Sequence, residues 1–282
     1  MSTTNSSSGP PSDGEFTLEE DVPAFYRRIG DDLYAPTVHA QGAWRDDEQH
    51  MAPVSGILTH AIDLHEPREG MQLARVSFDI LGMIPARPSQ VAVRTTRPGR
   101  SIELVEATLS VDGRDVVRAH AWRLAAHDSS PVAAVEFEPM PGPESFPAWH
   151  GTEVWEGGYI RGVEFRADPE RRPGRTRTWI RSPHTLVDGE TCSPTADLIR
   201  LVDTANGIAV RVSPQEWMFP NVDLTIHLFR EPVRAASGWV GFDTKVTMGA
   251  TGMGLTSTTL HDELGPVGRA EQILTVRPMS RD

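Results

Sequence analysis

The sequence predicts an α+β fold built from two related modules, each a single helix followed by an antiparallel sheet. Three observations point there. First, the chain carries a faint copy of itself: Thr108-Leu109, Val116 and Arg118-Ala119 recur as Thr259-Leu260, Val267 and Arg269-Ala270 at one constant separation, with Asp112 matched by Glu263. Second, matches further upstream keep their order at shorter separations. Pro85 pairs with Pro232, each ending an apolar strand, and Asp63 pairs with Asp203, each inside a helical run. Loop insertions into a duplicated unit produce that pattern. Third, a length of 282 residues suits about two domains, and a long repeat present twice means two halves rather than a solenoid of many short units.

The elements follow in order. Residues 1–14 are Ser, Thr, Gly and Pro with nothing to bury, and are expected to be a disordered tail. The first module spans 15–128. In it YAPTVHAQGAW is strand-like, and APVSGILTHAIDLHE places Val54, Ile57, Leu58, Ala61, Ile62 and Leu64 at helical spacing. Gly56 inside that helix lowers propensity and marks a close backbone approach. Strands are expected at LARVSFDILGMI, QVAVRTTR, SIELVEATLSV and DVVRAHAWRLA, the last two joined by the hairpin signal Asp112-Gly113. Residues 129–150, rich in Pro and without a helical stripe, read as the linker.

The second module, 151–282, repeats the order. EGGYIRGVEFRA and TRTWIR are strand-like. SPTADLIRLVDTANGIA follows as a helix with Ser193 at the N-cap, Pro194 at the first helical position and Asp197 in the first turn. Leu198, Leu201, Val202 and Ala205 form its apolar stripe. VDLTIHLFREP, GWVGFDTKVTM, MGLTSTTLHDE and VGRAEQILTVRP complete the sheet.

Composition excludes some partners. The net charge of −12 argues against nucleic acid and against an anionic membrane surface, both of which need dense cationic surface. The single cysteine, Cys192, allows no internal disulfide and no cysteine-rich metal site. The first residues lack the basic and apolar regions of a secretory signal, and no apolar run approaches a membrane span. A cytoplasmic location is expected.

Three stretches of the second module, LIRLVDTANGIA, NVDLTIHLFREP and GRAEQILTVRP, resemble the type II acyl-CoA thioesterases, which are double-hotdog enzymes. The resemblance implies hydrolysis of acyl-CoA thioesters by direct attack of water, with acyl-CoA as substrate, no cofactor, and self-association of the chain. In that family an Asp in the second helix, a Thr or Ser just before the VD-type strand, and a Gln in the last strand activate the water. The resemblance places Asp203 at the Asp position and Gln272 at the Gln position. Asn221 falls where the hydroxyl residue normally stands. Asn221 can orient a water but relays no proton. Residues 221, 223 and 225 share a strand face by period-two alternation, so Thr225 is a substitute for the missing hydroxyl. HMAPVSG stands where the family has a glycine-rich helix start, which bears on substrate shape.

The chemistry suits these residue types. A carboxylate carried from a helix toward a sheet is partly desolvated, which raises its pKa toward a useful range. A Gln amide offers donor and acceptor while staying neutral, and N–H groups at the start of a buried helix stabilise an oxyanion. No G-x-S-x-G elbow and no Cys–His arrangement around Cys192 offers a nucleophile. Gln272 aligns with Ala121 in the first copy, so catalysis is expected in the second module and a pocket wall in the first.

Blander readings compete. A helical Asp and a strand Gln commonly face solvent, and Asn221 after Phe219-Pro220 commonly stabilises a turn. His50, His60 and His65 give no zinc pattern and read as surface or core histidines. His227 is expected to be structural, and Arg171, Arg172, Arg175 and Arg177 a solvated loop. Trp217, Met218 and Phe219 could line an acyl tunnel or simply pack a core. Competing functions are a non-catalytic acyl- or aromatic-ligand-binding protein and a hotdog enoyl-CoA hydratase, whose Asp–His motif is missing.

Overall fold

The computed structural model describes residues 16–234 and 237–279; the expected tail at 1–14 lies outside the described residues. Module one runs β1 (Ala24–Gly30), β2 (Leu33–Pro36), α1 (Met51–Leu64), β3 (Met71–Ile80), β4 (Ser89–Arg97), β5 (Ile102–Val111) and β6 (Arg114–Ala125). The stretch expected as linker, 129–150, ends in β7 (Ala148–Trp149), which pairs with β8 (Glu164–Ala167) of module two. Module two runs α2 (Gly158–Arg161), β8, β9 (Arg175–Arg181), β10 (Thr185–Val187), α3 (Pro194–Val202) and α4 (Ala205–Ile208). It continues with β11 (Trp217–Met218), β12 (Asp223–Leu228), β13 (Val240–Met248), β14 (Met253–Asp262), β15 (Gly265–Thr275) and β16 (Arg277–Pro278).

Fourteen strands form one sheet, ordered β10-β1-β2-β4-β5-β6-β3-β12-β15-β14-β13-β9-β8-β7, with β11 and β16 paired separately. The modules join edge to edge where β3 pairs antiparallel with β12, Val76 opposite Ile226. At the far edge β10 of module two pairs in parallel with β1 of module one, Ala24 opposite Thr185.

The internal repeat is visible in the ladder. Thr108 faces Arg118 across β5–β6, and Thr259 faces Arg269 across β14–β15. Each hairpin also breaks register just after its matched Leu, at Leu109/Ser110 and at Leu260/His261. Asp112 (φ 50°) and Gly113 (φ 76°) make the expected left-handed turn.

One apolar core serves both modules. Val54, Ile57, Leu58 and Ile62 of α1 are fully buried, whereas Leu64 at the helix end is exposed. Leu198, Leu201 and Val202 of α3 and Ala205 of α4, expected as one stripe on one helix, are all buried. Ser193 caps α3, accepting from the Ala196 N–H at 3.0 Å. The two helices cross closely. Ser55 Oγ shares its hydrogen between Ala52 O of its own helix at 2.7 Å and Ile199 O across the crossing at 3.1 Å, and a Cβ on Gly56 would lie 2.4 Å from Arg200 Cβ and 3.0 Å from its Cα.

Two expectations on strands need correction. EGGYIRGVEFRA forms a strand only over Glu164–Ala167, preceded by the helical turn α2. Gly157 adopts φ 107°, and a Cβ on Gly158 would sit 1.8 Å from Val38 O, so backbone lies too close there for strand side chains. YAPTVHAQGAW is strand only as far as Pro36. It then turns through a 3₁₀ segment, Val38–Ala40, with Thr37 Oγ1 accepting from the His39 N–H.

Replacing glycine by alanine inside a helix ordinarily adds about 1 kcal/mol of stability. At Gly56 the crossing reverses the sign: Gly56→Ala should destabilise the protein by about 1–3 kcal/mol, read as a lower midpoint in urea unfolding.

Candidate active site

α3 stops at Val202. Asp203 (ψ −11°) and Thr204 (ψ −18°) break the helix before α4 resumes, and the break turns the Asp203 carboxylate toward the sheet. Gln272 is one of the inward positions of β15, with Ala270 and Leu274. Asn221 lies just before β12 and bridges to Leu274 of β15. Three distant segments thus converge. Asn221 Nδ2 donates to Asp203 Oδ1 at 2.7 Å, and Gln272 Nε2 donates to the same oxygen at 2.9 Å. Asn221 Nδ2 uses its other hydrogen on Asp223 O at 3.0 Å.

The carboxylate is 7% exposed. Burial disfavours its charge and outweighs the two donated hydrogen bonds, so its pKa rises to about 7. Asp203 Oδ2 accepts from neither amide, and its nearest basic neighbour is His50 Nδ1 at 3.9 Å. That contact is not an ion pair. His50 is the N-cap of α1, and its Nδ1 already accepts from the Ala52 N–H at 3.1 Å. The ring stacks on Tyr159 at 4.1 Å between centroids, and burial pushes its pKa down to about 3.

A cavity of about 630 Å³ opens onto Asp203, Asn221 and His50. Trp44, Met51 and Ile84 of module one and Trp155, Phe165 and Met218 of module two wall it. Trp155 is fixed by its Nε1–H donating to Gly207 O at 2.9 Å and by edge-on packing against Trp44 at 4.8 Å. Module one therefore supplies wall, and module two supplies the carboxylate and both amides.

The structure does not bring Thr225 to this site. β12 buries Leu224, Ile226 and Leu228, whereas Thr225 stands on the opposite face of the sheet, paired with Glu271 and Ser77. His227 shares that outer face and is exposed. Of the Trp217-Met218-Phe219 run, Met218 lines the cavity, Phe219 is core and Trp217 is 36% exposed. Arg171, from the basic run, lies over the Trp149 ring at 4.5 Å.

Sequence reasoning missed His50 as a neighbour of the carboxylate. The repeat held the signal. Each N-cap meets the Asp near the other helix's end: His50 faces Asp203, and Ser193 Oγ donates to Asp63 Oδ2 at 2.6 Å. At the Asp63 end the amide is replaced by Ala121, and Arg123 occupies the space, donating to Ile62 O, to His65 O at 2.9 Å and to Glu103 at 3.1 Å. His60 is tied to Glu190 at 2.9 Å. That end is closed by ion pairs and helix capping.

Residues 40–124 match the family model of the acyl-CoA thioesterase N-terminal domain, and residues 133–276 match that of the acyl-CoA thioesterase C-terminal domain. Curated protein sequences gave no match. Among solved structures, the chain is similar to a conserved protein of unknown function with the hot dog fold from Alicyclobacillus acidocaldarius. That match has a TM-score of 0.70 and 16% identity, covering 92% of this chain and 98% of that one. It is similar to the acyl-CoA thioesterase II TesB2 of Mycobacterium marinum, with a TM-score of 0.63, 15% identity, and 90% and 96% of the two chains covered. The tesB protein of Mycobacterium avium subs paratuberculosis matches with a TM-score of 0.63 and 18% identity over 90% and 96%. Likeness at such identities speaks for the double-hotdog fold, and the two domain models speak for the family. The chain belongs to the acyl-CoA thioesterase family whose N-terminal and C-terminal domains it matches.

Proposed function

We propose that this acyl-CoA thioesterase cleaves its substrate by direct attack of a water molecule on the thioester carbonyl, with Asp203 as the base. One observation carries the reading: a buried carboxylate, tied through one oxygen to two amides from separate segments, stands on the wall of the cavity. Asn221 and Gln272 hold Oδ1, which leaves Oδ2 to take the proton of the water. The water oxygen bonds to the carbonyl carbon, and the Met51 N–H at the start of α1, beside the cavity, receives the developing oxyanion, since the Ala52 N–H is taken by His50 and Pro53 has none. The C–S bond then breaks, and the thiolate of coenzyme A recovers the proton from Asp203.

A base with a pKa near the working pH is effective because it accepts and returns a proton at little cost. Asn221 serves this scheme without a hydroxyl, since its task is to donate to the carboxylate. The reading includes self-association through the exposed sheet face around Leu255 and Ile273. It also includes a cytoplasmic location, which suits a buried, unpaired Cys192. No helix among the described residues is long and apolar enough to cross a membrane.

Asp203→Asn should lower kcat by about 10²–10⁴-fold, and Gln272→Ala by about 10²-fold, in a thiol-release assay over a panel of acyl-CoAs. Thr225→Val should leave turnover unchanged; a large loss would return the hydroxyl role to it. In the wild type kcat/KM should rise with pH through about 7 as Asp203 ionises. Stability runs the other way. The folded pKa of Asp203 lies above its unfolded value of 3.8, so its favourable contribution is present below 3.8 and is lost as pH rises through about 7. At pH 8, Asp203→Asn should therefore melt no lower than the wild type, and a large drop in Tm would contradict the burial argument.

A further inference from the structure

Two buried polar atoms on neighbouring strands take no part in the scheme above. Gln272 Oε1 and Thr256 Oγ1 are both inaccessible and without a hydrogen-bond partner among the described residues. Their residues are direct partners across the β14–β15 ladder and both face the core, Thr256 at 0% and Gln272 at 1% exposure. Five threonines are buried on this sheet's inner face. Four pair among themselves, Thr176 with Thr178 at 3.0 Å and Thr244 with Thr258 at 3.1 Å. Thr256 is left over, beside the one amide that supports the carboxylate from the sheet.

We infer that Thr256 is a positioning residue for the Asp203 site: its hydroxyl donates, directly or across one water, to Gln272 Oε1 and so holds the Gln272 amide with its Nε2 toward Asp203. The inference rests on Asp203 acting as the base. Two buried, partnerless polar atoms on adjacent residues are costly unless they meet, and a threonine hydroxyl swings between staggered rotamers about one bond. A carboxamide can turn either end toward its neighbour. With Nε2 toward Asp203 it stabilises the carboxylate; reversed, it sets an oxygen against the carboxylate and favours the protonated acid. Thr256 opposes reversal, because its single hydroxyl hydrogen then loses its acceptor. Donation to Oε1 also polarises the amide, which makes Nε2 a better donor.

The test is the pH dependence of kcat and KM for Thr256→Val, which keeps the β-branched shape, and for Thr256→Ser, which keeps the hydroxyl. In Thr256→Val the rising limb of kcat/KM should move up by about one pH unit, with a loss of about fivefold at pH 7. KM should hold, since the hydroxyl touches no substrate, and Thr256→Ser should behave as wild type. Thr256→Ala serves if the valine variant does not fold. A limb that stays in place in both hydroxyl-less variants overturns the inference, and the Asp203 reading survives as long as Asp203→Asn is inactive. Full activity of Asp203→Asn removes the reading and the inference together.

Discussion

The structure depends on the antiparallel crossing of α1 and α3. Gly56 lets the backbones approach, Ser55 bonds across the interface, and each helix begins where the other ends. The relation of His50 to Asp203 in the site derives from that arrangement. The N-cap of α1 is delivered to the carboxylate at the end of α3, so the partly positive start of one helix stands beside the acid that terminates the other. A wider crossing would separate the start of α1 from the Asp203 carboxylate. The main apolar core, shared by both modules, holds the two helices in this relation.

The two ends of the pair share a plan and differ in chemistry. At one end Ser193 bonds Asp63 and Arg123 fills the neighbourhood, so the carboxylate is satisfied and closed off. At the other, the corresponding carboxylate keeps an oxygen that no amide claims, with a cavity at its side. The difference comes down to few side chains: His50 against Ser193 at the caps, and Gln272 against Ala121 on the strands. The symmetric frame is common to both, and these positions leave one end closed and the other facing the cavity. The end at the cavity carries a thermodynamic burden, since burial disfavours the ionised carboxylate of Asp203.

Legibility in the sequence followed the range of the interactions. The hairpins β5–β6 and β14–β15 could be read because their register is set by residues close in the chain, and the repeat marked them twice. Asp203 and Gln272 could be read because the local motifs around them are strong. Thr225 was misplaced by applying alternation from Asn221, which lies outside β12 in an isolated bridge; the apolar positions Leu224, Ile226 and Leu228 identified the inner face. Alternation is a property of the strand, and it fails across a strand's end. β1 and β10 were invisible for a different reason: they pair across 161 residues of separation between Ala24 and Thr185, and nothing local announces a parallel partner that distant. The orphan hydroxyl of Thr256 needed coordinates, since five inward threonines look alike in the sequence.

That parallel pairing has an architectural consequence. β10 belongs by chain order to the second module, yet it finishes the outer edge of the first, with Tyr26 opposite Val187. A strand lent in this way covers a row of backbone groups that would otherwise invite another chain. It also makes the halves interdependent, because excising either one strips the other of a border or of its neighbour. A nick in the connecting peptide would leave the two fragments clasped through this pairing.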